Sequence, residues 1–130
     1  MFGIGGLRLG QRELEIMNIV WDREEATVQD VVDRLERPAA YSTILTMMRT
    51  LESKGLLEHR VFGRTFVYRA TVRRQKVQGS VLEEVRRLLF RGSPALLLNS
   101  MLSHTSMSEQ EVAELRRLLD EAMARGTGHA

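Results

Sequence analysis

The chain has 130 residues, a formal net charge of +2, 43% hydrophobic residues and 28% charged residues, a composition typical of a folded domain. It contains no cysteine, which excludes disulfides, thiolate nucleophiles and sulfur-rich metal sites from this chain. No apolar run approaches the roughly 20 residues of a membrane span, and the glycine-rich N-terminus lacks the pattern of a signal peptide. We therefore expect a cytoplasmic protein that makes no membrane contact.

Three helices are predicted before the first β-like segment. Apolar residues recur at helical spacing in three stretches: 11–22, 27–36 and 41–54. Thr27 and Asp30 form a capping-box pattern at the start of the second helix, and Pro38 ends it. Gly55 marks the end of the third helix.

Two β-like runs follow the third predicted helix. They span residues 56–61 and 65–70, with a turn over 62–64 between them. In the second run, apolar and polar side chains alternate with the period of two that is typical of a half-buried strand. Three helices followed by a hairpin predict a winged helix-turn-helix domain over residues 1–71, in a fold that is mainly α with a small β-hairpin.

The second half of the chain is predicted to be entirely helical. Helical patterns cover 72–91, 94–103 and 109–124, with Gly79 and Ser80 indicating a break in the first of them. The three short helices carry more apolar side chains than they can bury against one another. Residues 72–126 are therefore predicted to form a dimerisation domain. The residues expected at its interface are Val85, Leu88, Leu89, Leu97, Met101, Val112, Leu115 and Leu119. The alternative is that these helices fold back onto the winged helix in a monomer. Residues 127–130 are predicted to form a disordered tail.

The third helix has a polar face without a single carboxylate. On a helical wheel centred on Thr46, the nearest residues are Ser42, Thr43, Arg49, Thr50 and Ser53. The opposite side carries Ile44, Met48 and Leu51. A solvated helix face usually carries Glu, Lys and Gln, because Ser and Thr are poorer helix formers. We therefore predict that this face enters the major groove of duplex DNA; the alternative is that the hydroxyls merely face water.

Basic residues are concentrated around and after the predicted hairpin. From Lys54 to Arg91 there are ten Lys or Arg residues and three acidic ones, a local excess of +7. Arg64 lies at the hairpin tip, from which a guanidinium can reach a phosphate or a minor groove. A solvated, arginine-rich surface is the alternative. The full set of predicted DNA-contacting residues is Tyr41, Ser42, Thr43, Thr46, Arg49, Thr50, Lys54, Arg60 and Arg64.

Nothing in the sequence indicates catalysis. The histidines at 59, 104 and 129 are scattered and lack metal-ligand spacing, so we expect no enzyme activity, no metal and no cofactor. Residues 3–6 are not followed by a strand–helix phosphate loop and are predicted to form a flexible arm. The competing function is that of a winged helix used for protein–protein contact, whose recognition face would be expected to carry large apolar anchors.

Three segments together resemble the penicillinase-repressor family of bacterial regulators, the BlaI, MecI and CopY group. They are LGQRELEIMNIVW, AYSTILTMMRTLESKGLLEHR and GRTFVYRA, and the similarity runs from about Leu9 to Ala124. The resemblance implies a homodimer that represses transcription from an inverted-repeat operator in double-stranded DNA. It places Ser42, Thr43 and Thr46 among the recognition-helix contacts of the family and Arg64 at its wing position.

Relatives in this family are regulated in two ways, and the sequence is compatible with only one of them. In antibiotic-sensing relatives, a membrane metalloprotease pathway cleaves the repressor after an asparagine of the C-terminal domain. Asn99 stands at the matching place, which makes a regulatory protease a candidate partner. Its successor, Ser100, departs from the large apolar residue of those relatives, and the alternative is that Asn99 is simply a surface residue of a helix. Copper-responsive relatives use a C-terminal cysteine cluster, which this chain lacks.

Overall fold

The computed structural model describes residues 2–4 and 7–126, with side chains from Arg8 onward. The chain divides into two compact units between Val85 and Arg86, here called the N-terminal and C-terminal units. The elements of the described residues are β1 (Phe2–Ile4), β2 (Leu7–Leu9), α1 (Gln11–Arg23), α2 (Val28–Arg34), α3 (Tyr41–Ser53), β3 (Leu57–Phe62), β4 (Thr65–Ala70), α4 (Arg74–Leu89), α5 (Pro94–His104) and α6 (Glu109–Gly126). The predicted fold class, mainly helical with a winged helix-turn-helix, is confirmed.

The core of the N-terminal unit lies between its first three helices and the β3–β4 hairpin. The buried side chains are Leu9, Ile16, Met17, Val20, Ala26, Val28, Val31, Ile44, Met48, Leu51, Leu56, Leu57, Tyr68 and Val77. Each helix contributes residues spaced by three or four, so one stripe per helix faces the core. This packing holds α3 by one side and leaves its other side at the surface.

Side-chain and backbone signals set the limits of α2 and α3. The predicted capping box is confirmed: Thr27 Oγ1 accepts from Asp30 N–H at 3.1 Å, and Asp30 Oδ2 accepts from Thr27 N–H at 2.9 Å. At the end of α3, Gly55 has φ +80°, and its N–H donates to the Glu52 carbonyl at 2.9 Å. Glycine adopts this left-handed conformation without the steric penalty of a Cβ, so α3 ends here and the chain turns into β3.

The β3–β4 hairpin is an antiparallel wing with an uninterrupted register. Pairing runs from Leu57 opposite Ala70 to Phe62 opposite Thr65, and Gly63 turns the chain with φ +65°. Tyr68 exchanges two backbone hydrogen bonds with Ala26, at 2.8 and 2.9 Å. The wing is therefore fixed to the α1–α2 connection as well as to the end of α3.

The N-terminal unit continues beyond residue 71, which is the predicted end of the winged-helix domain, and extends to Val85. Trp21 Nε1 donates to the Val72 carbonyl at 2.9 Å, and the Arg74 guanidinium lies 5.4 Å from the centre of the Trp21 ring. Val77 of α4 is buried in the same core. The start of α4 thus packs on α1. The predicted break at Gly79 is wrong, because α4 is continuous from Arg74 to Leu89.

The N-terminal segment differs from the predicted flexible arm. Residues 2–4 form β1, which pairs antiparallel with β2 at residues 7–9. Gly5 and Gly6, and the predicted tail at 127–130, lie outside the described residues.

The C-terminal unit consists of the end of α4 followed by α5 and α6. Ser93 Oγ accepts from Leu96 N–H at 3.1 Å at the start of α5, and Ser108 Oγ accepts from Glu111 N–H at 3.1 Å at the start of α6. Between Arg86 and Gly126, none of the residues is fully buried. Among the helices that the structure describes, none has the length and apolar content needed to cross a membrane.

Candidate nucleic-acid interface

The exposed face of α3 is the face predicted from the helical wheel. Its members, all exposed, are Ser42, Thr43, Thr46, Arg49, Thr50 and Ser53. The opposite residues Ile44, Met48 and Leu51 are completely buried. Tyr41 begins the helix and is half exposed. The division of α3 into a core face and an acid-free surface face is therefore confirmed, while contact with DNA stays a prediction.

Two of the three threonine hydroxyls on this face donate hydrogen bonds within the helix. Thr46 Oγ1 donates to the Ser42 carbonyl and Thr50 Oγ1 donates to the Thr46 carbonyl, each at 3.0 Å. Each hydroxyl oxygen keeps lone pairs for an amino group of a base edge, and each side chain also carries a methyl group. The face thus offers short acceptors and methyl groups, which suit cytosine or adenine amino groups and the thymine methyl.

The four predicted cationic contacts fall into two pairs. Arg49 on α3 and Arg64 at the wing tip are exposed and form no ion pair within the described part of the chain. Lys54 Nζ instead donates to the Arg8 carbonyl at 2.8 Å and to Glu13 Oε2 at 2.9 Å. Arg60 pairs with Glu25 at 2.8 Å at the surface. Arg49 and Arg64 are consequently the cations of the predicted set with no competing internal carboxylate.

Charge on the outer side of the wing is mostly balanced. The Arg60 guanidinium, by hydrogen bond and charge, lowers the pKa of the exposed Glu25 carboxyl. Arg69 pairs with Glu58 on the neighbouring strand. Both pairs are exposed, and such pairs contribute little to stability. A phosphate that approached this side of the wing would therefore compete with carboxylates for Arg60 and Arg69.

Sequence reasoning missed the apolar side chains near the wing tip. Phe62 is 70% exposed and lies 5.7 Å from the Arg60 guanidinium carbon, and Val61 is exposed beside it. The sequence shows that both residues are apolar, but the period-two alternation of a strand assigns one of any two neighbours to the core. The structure shows that Val61 and Phe62 are the last two residues of β3 before the turn, and that both side chains are exposed.

Sequence reasoning also missed a contact between α3 and the wing. His59 Nδ1 lies 2.7 Å and 2.8 Å from the two carboxylate oxygens of Glu52. The imidazole stacks on the Phe66 ring at a centroid distance of 4.1 Å and an interplanar angle of 14°. Tyr68 lies behind this pair, and burial, followed by the charge of Glu52, raises the pKa of its hydroxyl. The helix α3 and the wing are thus joined by side chains as well as by the turn at Gly55.

The residues predicted to mediate dimerisation lie in α4, α5 and α6. Four of them are exposed: Leu88, Leu89, Met101 and Leu119. The other four are partly buried: Val85, Leu97, Val112 and Leu115. The structure adds Leu118 and Met123, which are also exposed large apolar residues of α6. Apolar surface of this kind costs free energy in water unless it is covered.

The candidate cleavage position lies inside α5. Asn99 and Ser100 are both helical, and the Asn99 carbonyl accepts a hydrogen bond from Ser103 Oγ at 2.8 Å. Among the described residues, no cluster of three or more His, Cys, Asp or Glu side chains has the arrangement of a metal site.

Comparison with known proteins identifies the family. The sequence profile described as penicillinase repressor matches residues 9–121. A penicillinase repressor from Bacillus licheniformis is 26% identical over 116 residues, which cover 88% of this chain and 91% of that protein. The methicillin resistance regulatory protein MecI from Staphylococcus aureus is 22% identical over 115 residues, which cover 87% of this chain and 94% of that protein.

A solved structure supports the same fold. Streptococcus pneumoniae FabT in complex with DNA superposes with a TM-score of 0.50 at 19% identity, covering 94% of this chain and 78% of that chain. At this identity, the likeness shows the fold alone. The family profile, however, spans most of the sequence, and the chain therefore belongs to the penicillinase repressor family.

Proposed function

We propose that this chain is a DNA-binding transcriptional repressor that acts as a homodimer on an inverted-repeat operator. The observation that carries the proposal is the exposed row of short hydroxyl side chains on α3, which contains Arg49 and no carboxylate. Short side chains let a helix approach the floor of the major groove, and the absence of carboxylates avoids repulsion by phosphates.

The exposed arginines extend this surface beyond α3. Arg49 is proposed to bind a phosphate or a guanine edge, and Arg64 is proposed to bind the backbone or minor groove beside the wing. Neither guanidinium has an ion-pair partner in the part of the chain that the structure describes, so DNA binding would not have to break one. Relatives named as repressors support the assignment of the regulatory effect as repression.

The homodimer is proposed from the apolar surface of the C-terminal unit. Leu89 is 74% exposed, and Leu88, Leu119 and Met123 are also more than half exposed. A two-fold symmetric pairing would cover this surface and present two copies of α3. Two such helices bind half-sites that lie one helical turn apart, about 34 Å along the duplex.

Relief of repression by proteolysis after Asn99 is proposed as a secondary feature. A protease binds its substrate in an extended conformation, so the helical hydrogen bonds around Asn99 would have to open first. The intact mass of the chain, recovered from cells before and after repression is lifted, tests this. A shortened fragment ending at Asn99 supports cleavage, and an intact chain contradicts it.

Duplex binding at two salt concentrations tests the main function. Because phosphate contacts release counterions, affinity for a selected duplex should fall steeply between about 50 mM and 200 mM salt. Sedimentation velocity tests the dimer, with Leu119→Glu expected to yield monomers and Arg116→Glu, on the same helix, expected to preserve the dimer. A wild-type chain that sediments as a monomer and binds no duplex at low salt would contradict the proposal.

A further inference from the structure

Glu52 is the only acidic residue between Tyr41 and Ser53, the span of α3. It follows Arg49 by three positions, and residues three apart are neighbours on a helix surface. An unrestrained carboxylate at this position would pair with the Arg49 guanidinium and would also repel phosphates. The recognition helix therefore carries one group that opposes its proposed function.

The structure shows where that carboxylate is held. Both oxygens of Glu52 lie within 2.8 Å of His59 Nδ1 on β3. The side chains of His59 and Glu52 are only 28% and 33% exposed. The imidazole is fixed on its other side by the stack with Phe66 at 4.1 Å. In the described part of the chain, Arg49 has no ion pair, which is the arrangement expected when Glu52 is occupied elsewhere.

We infer that His59 is a positioning residue of the DNA interface. It holds the Glu52 carboxylate against the wing and thereby leaves Arg49 available to DNA. His59 need not touch the duplex, because it acts through Glu52. This inference rests on the proposed function and deepens it, since it makes a wing residue control the charge presented by the recognition helix.

Three variants test the positioning role: His59→Phe, Glu52→Gln and the double variant. The probe is a duplex selected by the wild-type chain from a randomised library, and fluorescence anisotropy measures its affinity. Phenylalanine keeps the stack on Phe66 but releases Glu52, so His59→Phe should bind about tenfold more weakly. Glu52→Gln should bind at least as tightly as the wild type. The affinity of the double variant should return to within about twofold of that of Glu52→Gln, because its α3 has no carboxylate that could pair with Arg49.

Each outcome decides between a positioning role and a merely structural one. His59→Phe binding like the wild type, or a double variant as weak as His59→Phe, overturns the inference. A merely structural role for His59 would leave the double variant weak, because removing the Glu52 charge would not restore lost packing. Should His59→Phe fail to fold, as judged by thermal unfolding, His59→Leu replaces it in the single and the double variant, with the same loss and the same recovery expected. A wild-type chain that binds no duplex refutes the proposed function, whereas wild-type binding with these variants unchanged refutes this inference alone.

Discussion

Glu13 Oε2 accepts a hydrogen bond from Lys54 Nζ at 2.9 Å, which joins the first turn of α1 to the end of α3. The other carboxylate oxygen accepts from Gly10 N–H at 3.0 Å. The Glu13 side chain therefore accepts a hydrogen bond from the backbone N–H that precedes α1 and also binds the lysine at the end of α3. Both partners are largely removed from water, so the contact is stronger than a surface ion pair.

Replacing Glu13 by glutamine should lower the free energy of unfolding by about 1–2 kcal/mol at pH 7. Burial alone raises the pKa of Glu13, but the hydrogen bonds from Gly10 and Lys54 and the charge of Lys54 more than offset it, and the net pKa is lowered. A carboxyl with a lowered pKa in the folded state stabilises the fold above its unfolded pKa. That contribution is lost as pH falls through the folded value. Urea unfolding from pH 7 down to acid pH should therefore show the difference between wild type and Glu13→Gln shrinking; equal stabilities at pH 7 would refute the assignment.

Ending the chain at residue 71 should cost stability relative to ending it at residue 85. The shorter fragment loses the acceptor of the Trp21 Nε1 hydrogen bond, the cover provided by Arg74 and the buried Val77 side chain. Together these contacts are worth about 3 kcal/mol. Thermal unfolding of the two fragments measures the difference. Coincident midpoints would show that the N-terminal unit ends at the hairpin.

Alanine at Gly55 should destabilise the chain by about 1 kcal/mol, because φ is +80° there and an L side chain is strained in that conformation. Nothing lies within 4 Å of the position that a Cβ would occupy, so the loss comes from the backbone alone. Gly79 is the matched control, since it lies inside α4 in equally open space without a positive φ. Gly79→Ala should stabilise the helix by about 0.5–1 kcal/mol. Chemical unfolding of both variants should show opposite signs, and a shared sign would contradict the backbone argument.

Alanine at Arg49 or Arg64 should weaken duplex binding and reduce its salt dependence by about one counterion each if the contact is to a phosphate. Arg125→Ala, at the end of α6, removes the same charge far along the sequence from α3 and the wing and serves as the control. Affinities measured across a salt series distinguish the loss of a phosphate contact from the loss of a positive charge elsewhere on the chain. Identical slopes for Arg49→Ala, Arg64→Ala and Arg125→Ala would mean that the two arginines do not contact the backbone.

The helices were predictable because their causes are local. The apolar stripes, the Thr27 capping box and the glycine at position 55 each depend on residues that are close together in the sequence. The observed α1 and α3 agree with the predicted ranges to within one residue at either end. Position 79 misled the prediction because a single glycine weakens a helix without ending it when the flanking residues continue the pattern. The pairing of β1 with β2 was missed because three-residue strands are too short to show alternation.

The pairing of charged side chains was not predictable, because the partners are distant in sequence. Lys54 belongs to the predicted DNA-contacting set, yet its partner Glu13 is 41 residues away, and Arg60 pairs with Glu25 across 35 residues. The same holds for Glu52 and His59, which lie on different elements and meet only once the wing folds back on α3. Helical spacing therefore identified the exposed polar face of α3, and tertiary structure decided which of the predicted DNA-contacting cations have a carboxylate partner.

The most direct test of the central claim is the affinity of Thr46→Glu for a selected duplex, compared with Thr46→Val. Thr46 lies at the centre of the exposed face, so a carboxylate there meets phosphates while the fold is unaffected. Valine keeps the shape and the methyl groups and loses only the hydroxyl. We expect Thr46→Glu to lose at least about 100-fold in affinity and Thr46→Val to stay within about tenfold of wild type, with matching thermal unfolding midpoints. A Thr46→Glu variant that folds and binds the duplex as tightly as wild type would contradict the account.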